Sequence, residues 1–165
     1  MDWSQLRKQH MFGPDETYLN TGSFGSLHQR TFDCFVDGLR RLETSPTEQH
    51  FEFVDRAQAS RARLGSFLGA PAEDLAFTTN VTVSMNMAIL GLDWQPGDEV
   101  LASDTEYGAI DHCLHHLEQR TGAIVCRAPI PRPPESPQVV VDAFEAGFTQ
   151  RTRLLVCSHV FSRTG

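Results

Sequence analysis

Apolar residues along this chain follow two rhythms. In the first part they recur every three or four positions: Phe32, Phe35, Val36, Leu39 and Leu42 predict one amphipathic helix. Phe53, Val54, Ala57, Leu64, Phe67 and Leu68 predict a second over about residues 49–69, with those side chains facing inward. Ser45-Pro46-Thr47 separates the two, and Gly69-Ala-Pro71 ends the second. From residue 75 onward the rhythm changes to short apolar runs alternating with helical stretches. A buried strand at 75–79 turns directly into a helix that continues to Leu90. A Pro96-Gly97 turn leads to a strand at Glu99–Ser103, a helix from about Gly108 to Arg120 that buries Ile110, Cys113, Leu114 and Leu117, and a strand at Ala123–Ala128. After a proline-rich loop from Pro129 to Pro137 come a short helix from near Asp142, with Phe144 and Phe148 inward, and a strand at Leu154–Ser158. The run Val139–Val141 stays open between helix and strand, because β-branched residues suit either.

Strands alternating with helices predict an α/β fold of three layers, a mainly parallel sheet with helices on both faces. One globular unit is expected, with residues 1–72 as an N-terminal loop and helical segment and 73–165 as the α/β domain. In such sheets ligands sit at the carboxyl ends of the strands. Those ends are Thr78-Thr-Asn80, Ser103-Asp-Thr-Glu-Tyr107 and Ser158-His-Val-Phe-Ser162, all polar with an aromatic residue nearby.

The junction at Asn80 is the richest of the three. A helix's first turn carries backbone N–H groups without intrahelical partners and the positive end of the macrodipole, so it favours an anion. Asn80 or Thr79 can cap that helix, and Thr82 adds a hydroxyl donor. The turn lacks G-x-G-x-x-G and a Walker lysine, which disfavours a dinucleotide or nucleoside triphosphate and leaves a smaller phosphate; the same residues also read as a plain cap. Tyr107 reads either as a ring that stacks on a flat ligand or as a packing residue. The run Tyr18-Leu-Asn20-Thr-Gly22-Ser-Phe-Gly25-Ser predicts an irregular, close-approaching loop beside a ligand.

Composition narrows the partners. Against 14 basic residues stand 21 acidic ones, a formal charge of −7, which argues against nucleic acid and anionic membranes. The first ten residues lack the apolar core of a secretion signal and no apolar run is long enough to span a bilayer, so a soluble, cytoplasmic protein is expected. Cys34, Cys113, Cys126 and Cys157 lie far apart and predict reduced, mostly buried thiols. His112 and His116 share a helix face without the glutamate or third ligand of a zinc site, so no metal is expected. Ser158 and His159, adjacent on a strand, point to opposite faces and disfavour a serine hydrolase. The single lysine is Lys8.

Five segments together resemble the N-terminal half of class V aminotransferase-family enzymes of fold type I, in their isopenicillin N epimerase-like and cysteine desulfurase-like branches. They are Tyr18–Gly25, Phe77–Thr82 with Asn86, Pro96–Leu101, Asp104–Ala109 and Ser158–Gly165, in the family's order. The resemblance implies pyridoxal 5'-phosphate as cofactor, with Asn80, Val81 and Thr82 at its phosphate and Tyr107 on its pyridine ring. Ser162 falls at the position of an asparagine near the ring, and Asn20, Gly22 and Ser23 fall in the loop lining the substrate entrance. It further implies an amino-acid substrate and a homodimer in the full-length form. The family's Schiff-base lysine and its pyridine-binding carboxylate lie beyond the equivalent of Gly165. Lys8 cannot replace the first, and Asp104 and Asp111 are candidates for the second by type only. The strand at 75–79 would lack its usual neighbour. The expectation is therefore an incomplete cofactor-binding domain, inactive as a lone chain. The alternatives are a non-catalytic module or relict subunit that docks on a full-length relative, or a binder of sugar phosphate or nucleotide at the same helix start.

Overall fold

The structure, a computed structural model, describes residues 2–162, so the last three positions of the Ser158–Gly165 segment lie outside it. The chain divides into two compact units, residues 1–77 and 78–165.

Unit 1 is helical. Helix α1 (Trp3–Arg7) starts where the Asp2 carboxyl accepts the Ser4 N–H at 2.9 Å. Helix α2 (Gln29–Thr44) is capped by the His28 ring, and α3 (Pro46–Leu68) begins on Pro46, whose missing N–H costs nothing at a first helical position. Gly69 ends α3 at φ 71°, the left-handed conformation a glycine adopts without strain. A 3-10 turn at Ala72–Asp74 then folds back on α3 over Gly65, where a Cβ would stand 2.6 Å from the Ala70 carbonyl.

The expected inward faces do not form here. No residue of α2 is buried and only Gly65 of α3 is; Phe53, Val54, Phe67 and Leu68 stand exposed, while Ala57 and Leu64 are half-buried. Two helices packed on each other cannot enclose apolar residues on both their faces, and unit 1 contributes no sheet beneath them. Residues 75–79 also depart from expectation: they form no strand. A strand exists through its ladder, and no described segment pairs with this one, so its apolar sequence stays irregular.

Unit 2 carries the core. Helix α4 (Val81–Leu90) leads to β1 (Glu99–Ser103), α5 (Gly108–Thr121), β2 (Ile124–Ala128), α6 (Pro137–Glu145) and β3 (Thr152–Val156). The three strands are parallel in the order β2-β1-β3, with Leu101 opposite Cys126 on one side and Leu155 on the other. All of β1 is buried, as a central parallel strand must be. Val100 and Ala102 point to the face covered by α4 and α5, where they meet Ile89, Ile110, Cys113, Leu114 and Leu117; Leu101 points to the other and meets Phe144, Val140 and Ala143 of α6. These are the expected three layers with helices on both faces.

Smaller expectations shift. The short helix starts at Pro137, so Val139–Val141 are helical, and Phe148 falls past its end, exposed. The last strand runs two residues earlier than its hydrophobicity suggested. Of the cysteines only Cys113 is buried; Cys126 is half-buried, Cys34 and Cys157 are exposed, and all four are free thiols.

Candidate functional site

Topology brings three chain ends together in unit 2. The strands are parallel, so the loops after β1 and β3 leave the sheet at one end. Helix α5 starts at that end and finishes at the opposite one, where the Gly97 N–H bonds the Gly122 carbonyl at 3.0 Å. Helix α4 packs beside α5 and its C-terminus feeds the loop that enters β1 from the far end, where Leu90 and Arg120 line one cleft. Both helices therefore point their N-termini toward the carboxyl ends of the strands.

The start of α4 is a built turn. Asn80, with extended backbone at φ −169°, caps the helix: its side-chain oxygen accepts the Val83 N–H at 3.0 Å, which settles the choice between Asn80 and Thr79. The Thr78 hydroxyl sits 2.6 Å from that of Ser84 and donates to the Asn80 carbonyl at 3.2 Å, to which Ser84 donates as well at 3.3 Å. Asn86 reaches one turn back to the Thr82 carbonyl at 2.8 Å. The N–H groups of Val81 and Thr82 and the Thr82 hydroxyl have no acceptor among the described residues; Val81 is exposed and Thr82 half-buried. Two N–H groups and one hydroxyl without acceptors, together with a helix dipole, form a donor set that suits a small dianion.

Tyr107 sits at the N-cap of α5 with half its surface open and no side-chain hydrogen bond among the described residues. Beside it, Glu106 is almost fully buried. Its carboxyl accepts the Ser103 hydroxyl at 2.7 Å, the Ser158 N–H at 3.2 Å and the Ser158 hydroxyl at 2.5 Å. Partial desolvation of its sulfur, with the Glu106 carboxyl nearby, pushes the thiol of the otherwise exposed Cys157 up. Ser162 lies in the loop after β3, exposed, at the same end of the sheet. Asp104 and Asp111, candidates by type, are engaged elsewhere. Asp104 accepts the Ile130 N–H at 3.0 Å and pairs with Arg132 at 2.9 Å, and Asp111 lies 2.8 Å from Arg127.

Asn20, Gly22 and Ser23 belong to unit 1. There the Ser23 and Phe24 N–H groups donate to the Asn20 carbonyl, and the Tyr18 hydroxyl donates to the carbonyls of Asn20 and Phe24. The loop is irregular, as expected; a Cβ built on Gly22 would meet nothing within 4 Å and one on Gly25 only the Thr21 carbonyl, at 3.9 Å. Lys8 is also in unit 1, at the C-cap of α1, and unit 2 contains no lysine.

Reading the sequence brought Asn80, Val81, Thr82 and Tyr107 to one end of unit 2 and missed Ser103, Glu106 and Ser158 as a group. The available signal was an acidic residue directly beside Tyr107 at a polar strand end.

The chain is similar to known proteins over most of its length. The family described as aminotransferase class-V matches residues 39–165. Isopenicillin N epimerase of Amycolatopsis lactamdurans is 37% identical, over 99% of this chain and 42% of its own length. A putative L-cysteine desulfhydrase of Oryza sativa subsp. japonica is 28% identical over 86% of this chain and 33% of its own length. A C-DES mutant crystallised with glycine covalently linked to its PLP cofactor superimposes with a TM-score of 0.80 at 23% identity, covering 94% of this chain and 41% of that one. The cysteine desulfurase CsdA of Escherichia coli gives 0.69 at 24% identity, with 94% and 40% covered. The two structural likenesses establish the fold. This chain spans about two fifths of the length of the epimerase it matches.

Proposed function

This chain belongs to the class-V aminotransferase family, and from that premise we propose that it carries the phosphate-holding and ring-holding part of an enzyme that acts on amino acids with pyridoxal 5'-phosphate. The observation that carries the reading is the start of α4, where the Val81 and Thr82 N–H groups and the Thr82 hydroxyl have no acceptor among the described residues while Asn80 is spent on the cap. When bound, the cofactor draws electrons from the amino acid's α-carbon. The chain's own residues would hold it. Val81 and Thr82 bind the phosphate, Tyr107 offers its open ring as a flat surface, and Ser162 lies in the neighbouring loop. Asn20, Gly22 and Ser23 are proposed as residues that meet the substrate.

The relatives named as an epimerase and a cysteine desulfhydrase support epimerisation or lyase chemistry, while transamination rests on the family's description. Cytoplasmic location and homodimeric assembly belong to the same proposal. Among the described residues no helix is long and apolar enough to cross a membrane, and α2 and α3 leave large apolar side chains exposed. Alone, the 165-residue chain is proposed to bind without turnover, because unit 2 holds no lysine to anchor the group covalently.

Titrating the chain with pyridoxal 5'-phosphate tests this. Saturable binding is expected, displaced by inorganic phosphate and weakened about tenfold by Thr82→Ala, the equivalent of one charge-assisted hydrogen bond. Binding that pyridoxal without its phosphate matches in strength would sink the reading. The second reading is a module that docks on a full-length relative, favoured by the exposed apolar residues of α2 and α3. Size-exclusion chromatography with such a relative separates the two: a chain that stays monomeric in its presence counts against docking.

A further inference from the structure

We infer that Glu106 is a positioning residue for the ring-holding side of this site, tying the loop after β3 to the loop after β1 and so fixing how Tyr107 is presented. The inference rests on the cofactor reading above. Glu106 is 7% exposed and its carboxyl receives three donors, the hydroxyl of Ser103 three residues earlier and both the N–H and the hydroxyl of Ser158. Ser103 in turn accepts the Thr105 N–H at 3.3 Å, and its hydroxyl lies 3.2 Å from that of Thr105. The whole turn between β1 and α5 is thus stitched to one carboxyl, and that carboxyl reaches across to the end of β3.

The geometry contrasts with the other acids on these strands. Glu99, Asp98 and Asp104 each face an arginine, as structural carboxylates commonly do. Among the described residues the three donors to Glu106 are all neutral, and two come from one residue 52 positions away. Tyr107, the next residue, is anchored through its carbonyl, which accepts the Ile110 N–H at 2.8 Å and the Asp111 N–H at 3.1 Å, while its ring hydroxyl has no partner among the described residues. Holding the residue before it therefore helps fix the backbone from which the ring projects.

Replacing Glu106 by Ala removes both acceptor oxygens and leaves the Ser158 N–H and the Ser103 and Ser158 hydroxyls without this partner in a buried place. Two measurements on the 165-residue chain read the effect. The chain has two tyrosines, Tyr18 in unit 1 and Tyr107, so 3-fluorotyrosine labelling gives one fluorine resonance from each. Without cofactor, Glu106→Ala is expected to shift or broaden the Tyr107 resonance and leave that of Tyr18 in place. With pyridoxal 5'-phosphate, it is expected to abolish most of the circular dichroism induced in the cofactor's absorption band while inorganic phosphate binds within about twofold of the parent chain. A general loss of structure would instead weaken both. Ser158→Ala, which removes one donor and keeps the N–H, should give a smaller change of the same kind. An unmoved Tyr107 resonance in Glu106→Ala overturns the inference whether or not the cofactor binds. A parent chain that shows the fluorine effect and binds no pyridoxal 5'-phosphate overturns the cofactor reading instead.

Discussion

Helices α2 and α5 have the same apolar rhythm and opposite fates. In α5 the residues Ile110, Cys113, Leu114 and Leu117 are all buried, because Val100, Ala102 and Val156 of the sheet lie beneath them. In α2 the residues Phe32, Phe35, Leu39 and Leu42 recur at the same spacing and all stand exposed. Periodicity specifies which side of a helix is apolar; burial needs a surface to receive it. Unit 2 supplies that surface with its own three strands, whereas unit 1 offers only a second helix.

The largest test of this contrast is Leu101→Ala. Leu101 is fully buried among Ala128, Ile130 and Phe144, so its truncation is expected to cost unit 2 about 2–5 kcal/mol, measured by urea unfolding. Next comes Gly147→Ala, whose added methyl would stand 2.6 Å from a Leu101 methyl that has no room to retreat. A loss of about 1–3 kcal/mol is expected. Asn80→Ala removes the cap of α4 and should cost about 1 kcal/mol, read as lower helicity and an earlier urea midpoint.

Acid should also weaken unit 2. The Thr149 hydroxyl holds the buried Glu99 carboxyl below its ordinary 4.5, against the effect of burial and with help from Arg151. A depressed carboxyl contributes stability that is complete above its unfolded-state value and is lost as pH falls through the folded one. Urea midpoints are therefore expected to drop below about pH 4.5, and Thr149→Ala should shrink that drop. The smallest effect is Phe35→Ser on exposed α2, within about 0.5 kcal/mol of the parent. A loss approaching that of Leu101→Ala would mean that α2 is buried in solution and would break the comparison.

What the sequence revealed follows the same division. The strands at 99–103 and 124–128 and the buried face of α5 could be read from hydrophobicity, because local pattern and tertiary burial agree there. Residues 75–79 have a strand's composition, yet a strand is a relation between two segments, and hydrophobicity in one cannot supply the other. Phe67 and Phe53 failed as inward residues for the same reason. At the site, Asn80 and Thr82 were legible because capping is local chemistry. The knot of Ser103, Glu106 and Ser158 was not, since it joins residues 52 apart through side chains whose types are common on surfaces.

The claim at the centre is that the start of α4 receives a phosphate. Amide nitrogen-15 spectra of the chain, recorded while pyridoxal 5'-phosphate is added, test it most directly. The account predicts that the Val81 and Thr82 amides move first and furthest, and that pyridoxal without the phosphate leaves them in place. Unmoved Val81 and Thr82 amides at saturating cofactor, or equal shifts with pyridoxal, would contradict it.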